Sequence, residues 1–217
     1  MSIVFYCASG SPYAWRVWLA LEHKQIPYTL NMLSFDAGET RAPGFRKLNP
    51  RQRVPVIVDG DFALYESAAI VEYLEERYST APDRALFPAE TRARAIVRRL
   101  IREVDQYFAE GVERLVEQIL FTPGERRDEA QIQKGRRQCL EELDVFERAL
   151  PGPFLAGKLG AADFSLYPLL ALMLRLERRS PELGVSPRLG PELSAWMRRI
   201  ESLPYFAKTY PPHWRPS

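Results

Sequence analysis

Apolar positions along the chain follow two rhythms. In the first third, short β-favouring runs alternate with helical stretches. Ile3 to Tyr6 is a compact apolar run of the kind that forms a buried strand. From Tyr13 to His23 the apolar residues Trp15, Val17, Trp18 and Leu21 recur at helical spacing. Tyr28 to Leu33 reads as a second strand and Val54 to Val58 as a third. Asp59-Gly60-Asp61 is a hairpin turn, and Phe62 to Tyr65 is the returning strand. Ser67 to Tyr78 then places Ile70, Val71, Tyr73 and Leu74 on a helix. The order strand, helix, strand, irregular segment, strand, strand, helix predicts an α/β unit with a mixed sheet.

Beyond Ser79 the rhythm changes. Residues 79–90 hold Pro82 and Pro88 without periodicity and read as a linker. From there to the end only helical spacing is found. Ala93 to Leu120 sets Val97, Leu100, Val104, Phe108, Leu115 and Ile119 near one face, before a break at Thr122-Pro123-Gly124. Ala130 to Leu150 is a second helix, ended by Pro151-Gly152-Pro153. Ala162 to Leu176 is strongly apolar and should lie at the centre of a second core. Leu193 to Leu203 is a further helix. The expected organisation is therefore an α/β domain over 1–78, a linker over 79–90 and an all-helical domain over 91–217.

Composition narrows the chemistry. With 30 basic against 28 acidic residues the net charge is only +2, which does not suit a polyanion binder. The five arginines between Arg92 and Arg102 sit among apolar residues at helical spacing and read as a solvated helix face. Two histidines, His23 and His213, leave no His-rich metal site, so no metal is expected. Two cysteines, Cys7 and Cys139, are too few for a disulfide framework and read as packing residues. No basic region followed by an apolar stretch opens the chain, so a reducing cytoplasm is the expected compartment.

Three short segments carry candidate chemistry. Ser11-Pro12 joins the first strand to the first helix, serine in the N-cap position and proline in the first turn. Two readings stand for Ser11: a helix cap, or a hydroxyl held where a helix N-terminus favours an anion such as a thiolate. Val54-Pro55 enters an apolar strand and is a candidate cis bond; such a bond would turn the Val54 backbone toward a bound peptide. Glu66-Ser67 stands between the last strand and the last helix of the first domain. Ser67 is there an N-cap or a carboxylate-binding group, and Glu66 a solvated acid or the partner of an ammonium.

In this order and spacing the segments resemble the glutathione transferase superfamily, over nearly the whole chain. The resemblance is densest in Ser11-Pro12-Tyr13 with Trp15-Arg16-Val17, Asn49-Pro50 with Val54-Pro55-Val56, and Glu66-Ser67-Ala68-Ala69-Ile70. Phe154-Leu155-Ala156-Gly157 followed by Ala162-Asp163 resembles that family's capping region for its buried helix, with Gly160 where Ser or Thr is usual. The resemblance implies a thioredoxin-like glutathione-binding domain followed by an all-α domain. The serine-using branches, such as the tau and zeta classes and many bacterial relatives, match best, because Ser11 precedes the Arg-Val step by the same distance. Ser9 is the competing candidate.

The resemblance implies that glutathione is the co-substrate and supplies the nucleophilic sulfur. Its γ-glutamyl end would meet Glu66 and Ser67, its cysteinyl backbone Val54 beside Pro55, and its glycine carboxylate Arg53, with Arg41 a weaker candidate. Ser11 would hold the sulfur as thiolate for attack on a hydrophobic electrophile, in detoxification. That electrophile is expected between the domains, near Tyr13, Glu103, Tyr107 and Phe108, with core packing the competing role for the aromatics. A cytoplasmic homodimer that binds neither nucleic acid nor membrane is implied as well. Two alternatives stay open: a zeta-like glutathione-dependent cis–trans isomerase, and a non-catalytic protein-binding member.

Overall fold

Strand β1, Ile3–Ala8, runs through the middle of a four-stranded sheet in the order β2-β1-β3-β4. The computed structural model describes residues 2–78 and 81–215. β2, Tyr28–Leu33, lies parallel to β1, with Ile3 opposite Tyr28 and Ala8 opposite Leu33. β3, Val56–Asp59, is antiparallel to β1, and β4, Phe62–Tyr65, returns beside it across the hairpin turn. β3 starts two residues later than expected, since Pro55 has no N–H to give the ladder.

Helix α1, Pro12–Lys24, makes the crossover that parallel pairing of β1 and β2 requires. A short helix α2, Pro43–Leu48, forms in the segment expected to be irregular. α3, Ser67–Arg77, completes the set. Ile3, Phe5, Val17, Leu21, Val56, Ile57, Ile70 and Leu74 are buried between sheet and helices. A mixed sheet with helices is the fold class expected for this part of the chain.

The chain divides into two compact units, and the division differs from the expected boundaries at both ends of the helical region. One unit holds the residues up to Phe87 together with the chain from Leu203 onward; the other is Pro88–Ser202. Ser79 and Thr80 of the expected linker lie outside the described residues. After the single turn Pro82–Arg84, Leu86 and Phe87 are buried. The Leu86 and Phe87 amides donate to the Glu75 carboxylate at 3.0 and 3.4 Å. That carboxylate also takes Lys24 Nζ at 2.7 Å.

At the other end, a short helix, Phe206–Thr209, and the turn Pro212–Trp214 fold back on α1. The Trp15 ring lies 5.9, 5.7 and 5.6 Å from those of Phe206, Tyr210 and Trp214. This aromatic cluster is why the tail packs with the first unit rather than with the helices that precede it.

In the second unit the long helix expected over 93–120 is interrupted twice. α4, Thr91–Glu103, passes through a π turn at Val104–Phe108 into α5, Ala109–Val116, and a second π turn at Glu117–Phe121 ends it. Each such turn adds a residue to the helical ladder and re-phases the buried face. α6 is Glu129–Ala149, α7 Ala161–Glu177 and α8 Pro191–Glu201. α5 and α6 cross at two glycines. A Cβ on Gly111 would stand 2.6 Å from Cys139 Sγ, and one on Gly135 2.9 Å from the Gly111 carbonyl oxygen.

α7 is almost wholly buried, as its composition predicts. It starts normally despite Gly160. The buried Asp163 carboxylate accepts from Leu155 N at 2.9 Å, Gly160 N at 2.9 Å and Trp196 Nε1 at 2.8 Å.

Candidate functional site

The C-terminal end of β1 delivers the chain to the first turn of α1. Gly10 takes φ +82°, a region glycine occupies at little cost. Ser11 follows in an extended conformation, its N–H donating to the Ala8 carbonyl at 3.1 Å. Its hydroxyl oxygen accepts from Ala14 N at 3.3 Å, and Pro12 opens the helix. A serine hydroxyl has one hydrogen and two acceptor sites. The cap uses an acceptor site and leaves the O–H hydrogen uncommitted, so the capping and anion-holding readings of Ser11 are compatible. Ser9, the competing serine, has its Oγ 2.6 Å from His213 Nδ1. Ser11 and Tyr13 are half-buried.

The Val54–Pro55 peptide is cis and Val54 is buried. Asn49 builds this stretch. Its Nδ2 donates to the Arg53 carbonyl at 2.7 Å, and its Oδ1 accepts from Arg51 N at 2.9 Å. Asn49 thus has a structural task the sequence reading left unassigned. Arg53 is exposed, and so is Arg41, in the turn Glu39–Arg41.

α3 begins at Ser67, one residue earlier than a Ser67 cap would have it. Glu66 occupies the cap position, at φ +71° and ψ 107°, and its side chain caps nothing. A non-glycine residue at positive φ is uncommon, and such residues gather at binding sites. The first amides of α3 therefore have no side-chain cap, while the exposed Glu66 carboxylate stands beside them.

Ser67 is buried and accepts from Arg16 Nη1 at 3.2 Å. Arg16 itself is only 1% exposed and lies 5.7 Å over the Tyr13 ring. A buried cation thus joins the α1 face to the start of α3, which favours an anion there. Sequence reading used Arg16 only as a family mark; the available signal was an arginine flanked by Trp15 and Val17 on a core-facing helix.

Other candidates are placed less favourably. Burial pushes the Cys7 and Cys139 thiols up to about 12, so neither is a thiolate near neutral pH. In the second unit Glu103 is half-buried, with Arg99 at 3.5 Å, and Tyr107 is exposed. Phe108, expected among residues lining the electrophile's pocket, is a core residue instead. It is fully buried, 6.2 Å from Phe146 in an edge-on contact. Among the described residues no group of three or more His, Cys, Asp or Glu side chains converges as a metal site would require, and no helix is long and apolar enough to cross a membrane.

Comparison with known proteins adds an independent line. Residues 10–77 match the family model described as glutathione S-transferase, N-terminal domain, and residues 129–199 that described as glutathione S-transferase, C-terminal domain. The chain is 32% identical over 206 residues to glutathione S-transferase 3 of Zea mays, covering 92% of this chain and 89% of that protein. It is 28% identical to probable maleylacetoacetate isomerase 2 of Drosophila melanogaster, covering 96% and 87%. The solved glutathione S-transferase of the Antarctic clam Laternula elliptica superposes with a TM-score of 0.82 at 30% identity, covering 100% and 95%.

Proposed function

This chain belongs to the glutathione S-transferase family and is an enzyme acting with glutathione, and on that premise we propose that the Ser11 hydroxyl donates a hydrogen bond to the glutathione sulfur and holds it as thiolate for attack on a hydrophobic electrophile. The observation that carries this reading is the half-satisfied Ser11 hydroxyl at the N-terminus of α1. Its oxygen is occupied by the helix, its hydrogen is available, and the helix end adds partial positive charge.

The same reading assigns the rest of the tripeptide. Glu66 receives the γ-glutamyl ammonium. Ser67 and the uncapped start of α3 receive its carboxylate, with Arg16 behind them. Val54 lies outside the ladder that starts at Val56, so its backbone serves the cysteinyl residue beside Pro55. The exposed Arg53 takes the glycine carboxylate, with Arg41 the weaker cation. Of the residues expected to meet the electrophile, Tyr13, Glu103 and Tyr107 keep accessible side chains and remain the candidates. We place the enzyme in the cytoplasm, in keeping with its two free cysteines, and propose a homodimer as its assembly.

Magnitudes show what Ser11 contributes. A free thiol with a pKa of about 8.5 is roughly 3% ionised at pH 7, and lowering it by about two units raises that to roughly 75%. Nucleophilicity falls with pKa and takes back about eightfold of the roughly 25-fold gain. Ionisation thus gives about threefold, and positioning beside the electrophile supplies the larger share.

The test is Ser11→Ala. Spectral titration of bound glutathione should show its thiol pKa raised by about one to two units. Turnover with chlorodinitrobenzene should fall roughly three- to tenfold, with glutathione still retained on an affinity resin. An unchanged titration would remove Ser11 from the sulfur and return the role to Ser9 or a backbone amide.

A further inference from the structure

The C-terminal segment that packs on α1 reaches the loop before Ser11, where His213 bonds Ser9 and, with Trp214, stands against Gly10. We propose that His213 is a positioning residue for the thiol site: by bonding Ser9 and packing on Gly10 it fixes the turn that aims the Ser11 hydroxyl. This rests on the role assigned to Ser11 above.

Three observations meet here. First, Ser9 Oγ and His213 Nδ1 are 2.6 Å apart. A hydroxyl both donates and accepts, so the bond forms with either ring tautomer. Second, the Gly10 backbone is pressed against the ring. A Cβ at Gly10 would come within 2.7 Å of His213 Cε1 and within 3.3 Å of both His213 Nε2 and Trp214 Nε1. A larger residue here would force the His213 ring to shift and would be strained at the positive φ of this position.

Third, the tail that presents His213 is anchored on the same helix that Ser11 caps. Trp214 and Tyr210 stand edge-on to Trp15 at 5.6 and 5.7 Å, and Trp15 Nε1 donates to Thr209 Oγ1 at 3.0 Å. Trp15 N in turn donates to the Ser11 carbonyl at 3.0 Å. Lys208 adds an ion pair to Glu22 at 2.6 Å. Beneath the loop only about 10 Å³ is open, lined by Cys7, Ser9, Ser11, Trp15 and Thr209 among others. That is about room for one water, so the turn has little slack.

Thiolate stabilisation needs a donor placed to within about 0.5 Å. Ser11 is half-exposed and follows a glycine at positive φ, so its own helix cap fixes one side of the turn only. His213 fixes the other side from far away in the chain, as the separation of 204 residues in the Ser9 contact records.

The experiment uses the full chain and three variants: His213→Phe, which keeps ring bulk and loses the nitrogens; His213→Asn, which keeps a polar atom near Nδ1; and Ser9→Ala. Without ligand, amide hydrogen exchange is read at Ser11 and Ala14, the two amides that hold the turn. With glutathione, the bound thiol is titrated, and kcat and KM are measured separately.

His213→Phe and Ser9→Ala should each speed exchange at these amides roughly fivefold. Each should also raise the bound thiol pKa by about half a unit and lower kcat about twofold, leaving KM for glutathione nearly unchanged. His213→Asn should restore most of the loss. Combining Ser9→Ala with His213→Phe should do no more harm than either change alone, because both remove the same bond. Unchanged exchange and titration in His213→Phe would overturn the proposal, as would full additivity in the double variant. If the unaltered protein takes up no glutathione, the role of Ser11 falls, while the exchange comparison still decides whether His213 sets the turn.

Discussion

Helices α1 and α7 begin in opposite ways. At α7 the cap is closed: Asp163 is fully buried and its carboxylate accepts from three separate N–H groups, including Trp196 of α8. At α1 the cap is open: Ser11 is half-buried, serves one amide and keeps its hydrogen. Both positions carry residue types favoured at helix starts, so propensity alone cannot tell them apart. Hydrogen-bond accounting can. A cap whose capacity is used up serves the fold, and one with capacity left over, at an accessible helix end, is available to a ligand.

The comparison can be broken most forcefully at Asp163. Asp163→Ala strands three buried donors, each worth roughly 1–3 kcal/mol, so stability should fall by about 3 kcal/mol or more. Urea unfolding would measure it, and turnover per folded molecule should stay the same.

Acidity probes the same carboxylate. Burial raises Asp163 from its ordinary 3.8 to about 6, against the pull of its N–H partners. A raised value means its contribution is complete below the ordinary pKa and is lost as pH rises through about 6. The stability of the unaltered protein relative to Asp163→Asn should therefore decline by about 3 kcal/mol from pH 4 to above pH 6. A flat difference would mean that the N–H donors hold the carboxylate ionised throughout.

At the open cap the balance should reverse. Ser11→Ala should cost only about 1 kcal/mol of stability while it impairs thiolate formation. A large stability loss with an unshifted thiol titration would make Ser11 a closed cap after all. The smallest effect is expected from Gly160→Ser, which adds a side-chain acceptor to a helix start already served by Asp163. A gain of a few tenths of a kcal/mol in unfolding free energy is the expected result.

What was legible in the sequence follows from how local each signal is. Strands β1 to β4, the long helices and the Ser11-Pro12 start rest on period and turn chemistry within a few residues. α2 escaped because six residues show too little periodicity. The π turns escaped because a reading at fixed helical spacing has no place for an added residue, whereas Phe108 lies buried as its spacing on the apolar face predicts, its pocket role having come from the family resemblance alone. The positive φ of Glu66 has no compositional mark, unlike that of Gly10. The return of the tail to α1 depends on aromatic contacts across most of the chain, which no local pattern encodes.

The two cysteines carry a practical consequence. Both are sealed in packed interiors with their thiols held at about 12. Neither thiol is therefore offered as a thiolate nucleophile near neutral pH while the protein is folded. For the experimenter, a thiol-selective dye added to the native, ligand-loaded protein should report on the guest's sulfur alone, with the polypeptide silent until it unfolds.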